Sequence, residues 1–182
     1  MTLKTRDLTY TALGAVLIVI CSWISVPAPV PFTLQTFAVF CVLELLGGRR
    51  GTLAVLLYLL LGAVGLPVFS GFRGGVGALL GPTGGFLLGF LLTGLLYWLC
   101  ERFARRAALR VLVLALGLAL CYAFGTAWFM AVYARGGEAL ALGTALGWCV
   151  WPFLLPDGAK LALAMLLARR VRPLLKSGEA AV

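Results

Sequence analysis

The chain contains no histidine, and charged residues make up only 12% of it. It therefore lacks the commonest general base and the commonest metal ligand of proteins. A soluble domain carries roughly 25% charged residues, so the composition argues against one. The glycine run GPTGG at 81–85 lacks the Lys-Ser/Thr pair that completes a phosphate-binding loop. These absences argue against metal-dependent catalysis and against ATP hydrolysis by this chain.

Five cysteines are present, without a CxxC pair. All five lie in apolar stretches, where we expect buried free thiols that act as small hydrophobes. The net charge of +9 raises the alternative of a nucleic-acid-binding protein. However, the basic residues form short clusters between apolar runs, as membrane topology requires, and no basic face is interleaved with aromatics. The sequence therefore predicts neither a metal centre nor a nucleic-acid partner.

Apolar residues are abundant, at 63% of the chain, and the mean hydropathy is +1.08. A membrane crossing needs about 20 apolar residues, and shorter helices are tolerated where they line a protein-walled cavity. The first run could also be a signal peptide, but similar runs follow it and no convincing cleavage site is present. We predict an all-α integral membrane protein with one domain (1–182) and six spans, at about 8–26, 32–47, 51–68, 83–100, 108–133 and 153–171.

Most of the basic residues cluster at the span ends that would lie on one side of the membrane. If the N-terminus is cytoplasmic, the outer segments carry only Arg73 and Arg135, and Lys160 lies inside a span. The excess of positive charge on the cytoplasmic side of membrane proteins then predicts both termini inside, in a multi-pass protein of the cell membrane. The other twelve of the fifteen basic residues fall on the inner side: Lys4, Arg6, Arg49, Arg50, Arg102, Arg105, Arg106, Arg110, Arg169, Arg170, Arg172 and Lys176.

The stretch 138–151 is apolar but cannot simply extend the last span. A single helix would then be more than 30 residues long and would contain Pro152 and Pro156 in its interior. We predict a short outer helix here, followed by a new helix that starts near Pro156, since proline fits the first turn of a helix.

Apart from Arg110, Arg169 and Arg170 at the inner span ends, the charged residues within the spans are Glu44, near the inner end of the second, and Asp157 and Lys160 in the last. Three residues apart, Asp157 and Lys160 share one helix face. Their distance from Arg169, roughly 18 Å for Asp157, places them in the outer half of a hydrocarbon layer about 30 Å thick. Ionisable residues at that depth indicate a functional site, and a helix start would add free backbone N–H groups. A purely structural ion pair is the alternative.

Three other outer elements are predicted to converge on the same level. They are the proline-rich loop 25–33, the start of the second span with Gln35 and Thr36, and the glycine-rich stretch 62–90. This stretch has ten glycines and one charge, Arg73, so it is suited to fold over a ligand rather than to form its own core. Together the elements predict a concave, mostly apolar pocket for a small molecule. Alternatively, Gln35 and Thr36 form only an interhelical hydrogen bond, and Arg73 is a solvated loop charge.

Three segments together resemble the BioY family, the biotin-binding S components of energy-coupling factor (ECF) transporters: VPFTLQTFAV (30–39), GLPVFSGFRGGVGALLGPTGGFLLGF (65–90) and PFLLPDGAK (152–160). The similarity runs over nearly the whole chain, in the family's order and spacing. It implies a six-helix S-component fold with a biotin pocket that opens outward, and a substrate-binding subunit instead of an enzyme. It implies no cofactor. The implied partners are a transmembrane T component and two ABC-type ATPases, which alone use ATP.

The resemblance also assigns residues. Asp157 and Lys160 match the acid and the lysine of the family's last helix, and Gln35, next to Thr36, matches the glutamine of the second. The loop that lies against the ligand is matched by Phe72, Arg73, Gly74 and Gly75. Small residues on the first helix resemble the surface that docks on the T component, although they can instead pack against a neighbouring helix: Thr11, Ala12, Gly14 and Ala15.

Three alternatives to a transport subunit for biotin stay open. A membrane enzyme could use Asp157 and Lys160 as acid and base, since a desolvated lysine can act as a base. A channel or packing scaffold would need a polar stripe along a whole helix, which the sequence does not show. The same fold could also bind a different vitamin. We interpret Tyr122, Trp128 and Tyr133 as interface anchors or packing residues.

Overall fold

The computed structural model describes the backbone of residues 5–137 and 139–180, and the side chains as far as Pro173. Lys4 and the side chain of Lys176, both counted as inner charges above, lie outside the described residues, as does Glu138. The described chain is almost entirely helical. Its elements are α1 (Thr5–Trp23), β1 (Ser25–Val26), β2 (Phe32–Thr33), α2 (Gln35–Val64), a 3-10 turn (Ser70–Phe72), α3 (Val76–Leu80), α4 (Gly84–Cys100), α5 (Ala107–Arg135), α6 (Leu142–Cys149) and α7 (Trp151–Ala180).

Helix α2 is a hairpin of two antiparallel arms. The chain reverses at Gly47, whose φ of +81° is a conformation that glycine adopts without a steric penalty. A Cβ added at Gly51 would lie 2.9 Å from the Cα of Leu43, whereas residues eight apart in a straight helix are separated by about 12 Å. The arms, residues 35–46 and 48–64, correspond to the second and third predicted spans.

The described part of the chain therefore contains six long helical segments, in agreement with the six predicted spans: α1, the two arms of α2, α4, α5 and α7. Among the described residues, three stretches meet both the length and the apolarity that a membrane helix needs: Thr5–Trp23, Ala107–Arg135 and Leu142–Pro173. The hairpin α2 is central, because it packs against α1, α4 and α7.

Close packing of α4 on α5 depends on glycine. A Cβ added at Gly89 would lie 2.6 Å from the Sγ of Cys121, and one added at Gly85 would overlap the Cβ of Trp128. The GxxxG spacing of Gly85 and Gly89 thus marks a close helix contact, as the sequence predicts. This contact fixes the depth at which α5 presents its side chains to the interior.

The last helix begins earlier than predicted. Helix α6 is the predicted short helix, but α7 starts at Trp151, so the predicted start near Pro156 is wrong. Pro152 occupies the first turn, where a missing N–H is harmless. Pro156 follows in the second turn, where only the bond to the carbonyl of Pro152 is lost. Asp157 consequently lies beyond the first turn, and the free N–H groups of a helix start do not surround it.

A buried carboxylate joins four helices at the opposite end of the molecule. Glu44 on α2 is 1% exposed. Its Oε1 accepts hydrogen bonds from Tyr97 Oη on α4 at 2.8 Å and from Arg110 Nε on α5 at 3.1 Å. Arg172 on α7 donates to the backbone carbonyl of Glu44 at 2.8 Å, and its Nη2 lies 3.5 Å from Oε2. We call these four residues the Glu44 cluster.

Neutralising the Glu44 cluster should destabilise the fold. Glu44→Gln keeps the shape but leaves two guanidinium groups facing an uncharged amide, so we expect a loss of about 2–4 kcal/mol. Asp7→Asn is the matched control, because Asp7 pairs with Arg50 at 2.6 Å near the surface, where a pair contributes about 0–1 kcal/mol. Thermal unfolding in detergent measures both. Equal melting temperatures for the two variants would contradict the assigned role.

Candidate binding site

A cavity opens between the proline-rich loop, the first arm of α2, the glycine-rich loop and helices α4, α5 and α7. The space between these elements, including the open mouth, is about 780 Å³. Most of its wall is apolar or aromatic, and three of its lining residues are charged. The lining consists of Val30, Pro31, Thr33, Gln35, Thr36, Phe69, Ser70, Arg73, Ala78, Thr83, Phe86, Leu87, Phe90, Leu118, Cys121, Tyr122, Cys149, Phe153, Asp157 and Lys160.

The polar centre of this wall is the predicted ion pair on α7. Lys160 Nζ lies 2.7 Å from Asp157 Oδ1, and the two residues are 5% and 2% exposed. The second carboxylate oxygen, Oδ2, accepts a hydrogen bond of 2.6 Å from the hydroxyl of Tyr122 on α5. Burial of a charge is tolerated only when partners of this kind are present. Both oxygens of Asp157 are thus held in place, each with a lone pair to spare.

The ammonium of Lys160 is more fully engaged. It also donates to the backbone carbonyl of Thr33 in β2 at 2.7 Å, and it lies 4.0 Å from the ring centroid of Phe32. An ammonium has three donors and no acceptor. Two of the donors have protein acceptors, and an aromatic face, which attracts cations, covers another side.

The proline-rich loop owes its position to this contact. Strands β1 and β2 pair antiparallel, with Ser25 opposite Thr33, and the N–H of Leu34 donates to the carbonyl of Ile24 at 3.1 Å. The small hairpin thereby turns the Thr33 carbonyl towards α7. The loop and the last helix are joined directly across the cavity wall.

The two polar residues at the start of α2 are both buried in the cavity wall. Gln35 Nε2 donates to the hydroxyl of Tyr58 on the second arm at 3.1 Å, so the interhelical hydrogen bond left open by the sequence is present. Thr36 is also buried. Both residues nevertheless line the cavity. The hydrogen bond within the hairpin therefore does not prevent them from facing a ligand.

The glycine-rich loop contributes only part of its predicted set. Arg73 lines the cavity, but Phe72, Gly74 and Gly75 do not. Phe72 is 64% exposed and packs against Trp23, with ring centroids 5.2 Å apart. A Cβ at Gly74 would overlap the backbone carbonyl of Leu66. Glycine is required at position 74 by the loop's own backbone, which differs from the ligand approach that the sequence suggests.

The four small residues of α1 that were predicted to dock on a partner differ in their exposure. Thr11, Gly14 and Ala15 are buried, and a Cβ added at Gly14 would lie 3.1 Å from Ala54 on α2. For these three, packing against a neighbouring helix is the alternative that the structure supports, which corrects the predicted docking set. Ala12 alone of the four is exposed.

The main residue that sequence reasoning missed is Tyr122, which was interpreted as an anchor or packing residue. No sequence signal indicates that Tyr122 contacts Asp157, because the two are 35 residues apart and Tyr122 lies in an apolar helix. Cys121 and Cys149 also line the cavity, in addition to being buried thiols. Within residues 5–137 and 139–180, no group of three or more histidine, cysteine or acidic side chains could hold a metal ion.

The fold and the cavity together define a helical membrane protein with an open, mostly apolar cavity between its helices. A crystal structure of the S-component for biotin from an ECF-type ABC transporter superposes with a TM-score of 0.81, at 26% identity, over 94% of this chain and 95% of that one. The predicted six-helix S-component fold is thereby confirmed. The BioY family model matches residues 1–177, so the chain belongs to the BioY family.

Individual relatives agree. The probable biotin transporter BioY of Pyrococcus horikoshii is 36% identical over 171 residues, which are 93% of this chain and 98% of that protein. The biotin transporter BioY of Thermotoga maritima is 55% identical over 85 residues, and BioY2 of Lactococcus lactis is 51% identical over 86. In these last two alignments the chain spans about half the length of its relative, 50% and 47% respectively.

The requirement for glycine at position 74 can be tested apart from any ligand. Gly74→Ala should loosen the loop, because the new methyl group meets a backbone carbonyl that cannot move aside alone. Gly77→Ala is the matched control, since no atom lies within 4 Å of its added Cβ. We expect trypsin to cleave after Arg73 several times faster in Gly74→Ala, relative to the same bond in denatured protein. Equal cleavage of both variants and the parent would show that the loop tolerates a side chain there.

Proposed function

We propose that the chain is the biotin-binding, substrate-capture subunit of an ECF-type vitamin transporter in the cell membrane. The observation that carries the proposal is the Asp157–Lys160–Tyr122 cluster, set in the wall of an otherwise apolar and aromatic cavity. Membership of the BioY family and the biotin transporters among the relatives support this choice of ligand.

The chemistry of biotin suits such a wall. Its ureido ring carries two N–H donors and one carbonyl acceptor, fused to an apolar thioether ring with an acid tail. The carboxylate of Asp157 has lone pairs left to accept N–H groups of the ureido ring, and bonds to a charged acceptor are among the stronger hydrogen bonds. Phe86, Phe90 and Phe153, all of which line the cavity, can cover the bicyclic ring.

The proposed binding residues fall into two groups. Five line the cavity and are placed for direct contact: Gln35, Thr36, Arg73, Asp157 and Lys160. Phe72, Gly74 and Gly75 belong to the same loop as Arg73 and would reach the ligand only if that loop closed further over the mouth.

The remaining features of the proposal concern the assembly. The subunit would dock on a transmembrane T component, and two ABC-type ATPases would supply the energy, with both termini of this chain cytoplasmic. The exposed face of α1, which includes Ala12, Leu13 and Val16, is the candidate docking face. The chain itself would only bind, because Asp157 and Lys160 are engaged with each other and with neighbouring groups. No nucleophile stands beside a free base in this cluster.

Binding of radiolabelled biotin to the full chain, purified in detergent, tests the proposal. We expect saturable binding with biotin recovered unchanged, and displacement by excess unlabelled biotin but not by other vitamins. Absence of saturable binding, or recovery of a modified ligand, would contradict it.

The ion pair itself provides a sharper prediction. Asp157→Asn removes a charge-assisted acceptor, and such bonds contribute about 1.5–3 kcal/mol, so biotin affinity should fall roughly ten- to a hundredfold. Combined with Lys160→Met, the variant no longer buries an uncompensated charge and should regain stability, yet its affinity for biotin should stay at least as low as that of Asp157→Asn alone. Melting temperature and biotin affinity are measured on the same samples. Tight binding by the double variant would make the pair purely structural.

The Tyr122 hydroxyl should contribute to biotin affinity indirectly, by orienting the carboxylate of Asp157. Tyr122→Phe preserves the ring but frees Oδ2, so the carboxylate is less firmly oriented and biotin affinity should fall about three- to tenfold. The matched control on the same helix is Tyr133→Phe, because Tyr133 stacks on Phe129 and does not line the cavity. The Tyr122 variant would refute this role if it bound biotin as the control does.

A further inference from the structure

Not every charged side chain in the cavity wall has a partner of opposite charge. Of the three charged lining residues, Asp157 and Lys160 neutralise each other at 2.7 Å. Arg73 takes part in no ion pair among the side chains that the structure describes. Its Nε donates to the carbonyl of Ser70 at 3.2 Å, which leaves the two terminal nitrogens of the guanidinium for other acceptors. The wall therefore carries one positive charge in excess, and that charge is on the glycine-rich loop.

Lys160 is poorly placed to receive an anion. Its ammonium is held by the Asp157 carboxylate and the Thr33 carbonyl, and the ring of Phe32 covers it at 4.0 Å. An anionic ligand group brought to Lys160 would also approach the carboxylate of Asp157, and like charges at short range repel. The buried cluster is suited to neutral donors and acceptors, and the loop arginine is suited to an anion.

The backbone of the loop fixes the position of Arg73 in the cavity wall, although the residue is itself exposed to solvent. The N–H of Phe69 donates to the carbonyl of Arg73 at 2.9 Å, which closes a tight turn around the 3-10 residues. Phe69 itself is 3% exposed and meets the ring of Tyr58 edge-on, at 5.4 Å between centroids. The anchor of the turn is thus buried in the α2 hairpin, and the guanidinium is presented from a fixed base.

We propose that Arg73 recognises the carboxylate of the ligand and thereby sets its orientation, with the neutral ring system at Asp157 and the acid tail at the glycine-rich loop. This inference rests on the proposed function and assigns the two ends of the same site. An arginine fork can hold a carboxylate through two parallel hydrogen bonds. Because Arg73 is exposed to solvent, its contribution is partly screened by water and salt.

The test compares biotin with biotin amide, which has nearly the same shape and no charge. Both are titrated into the full-length chain and into Arg73→Gln, Arg73→Lys and Arg135→Gln. Arg135, the other predicted outer arginine, is the control because it does not line the cavity. We expect the parent and the Arg135 variant to prefer biotin about three- to tenfold at low salt, and the preference to shrink as salt rises.

Arg73→Gln should abolish this preference by weakening biotin while leaving the amide unchanged, and Arg73→Lys should restore part of it. An undiminished preference in Arg73→Gln would overturn the inference, and so would an equal loss for both ligands, which would make Arg73 a support of the loop. A parent protein that binds biotin and the amide equally would also overturn it. If the parent binds neither ligand, the proposed function fails before the role of Arg73 is reached.

Discussion

The burial of one carboxylate and one ammonium next to each other is the constraint on which the cavity end of this molecule depends. Taking either charge out of water costs several kcal/mol, and the pair is tolerable only when the remaining lone pairs and protons are satisfied. Asp157 and Lys160 meet this requirement by using Tyr122 from α5 and the Thr33 carbonyl from β2. Three elements far apart in sequence are thereby fixed around one wall, and the cavity takes its shape from them.

A second buried carboxylate, Glu44, organises the other end in a different way. One tyrosine and two arginines surround it, drawn from α4, α5 and α7, so its side chain is satisfied by helices alone. Asp157, by contrast, forms an ion pair with one lysine and faces a cavity. The contrast suggests a division of roles, in which the Glu44 cluster clamps the helix bundle and the Asp157 cluster keeps acceptor capacity for a ligand. The first arm of the α2 hairpin connects the two ends, because it carries Gln35 in the cavity wall and Glu44 in the Glu44 cluster.

Local rules were enough to predict the features that depend on neighbours in sequence. The i, i+3 spacing placed Asp157 and Lys160 together, and the GxxxG spacing marked the contact of α4 with α5. Rules of this kind failed where packing between segments distant in sequence determines which residues are in contact. Tyr122 reaches Asp157 because the fold packs α5 beside α7, and Gly74 meets Leu66 because the loop folds back on itself. The sequence predicts a helix start near Pro156, yet α7 begins at Trp151, because the single hydrogen bond lost in its second turn does not prevent an earlier start.

The most direct measurement of the central claim is an experimental structure of the full chain with biotin bound. The account predicts biotin in the cavity, with a ureido nitrogen about 2.7–3.2 Å from an Asp157 carboxylate oxygen. The Tyr122 and Lys160 contacts to that carboxylate should be retained. Biotin bound elsewhere, or bound with its ring system away from Asp157, would contradict the claim that the buried ion pair is the recognition centre of this protein.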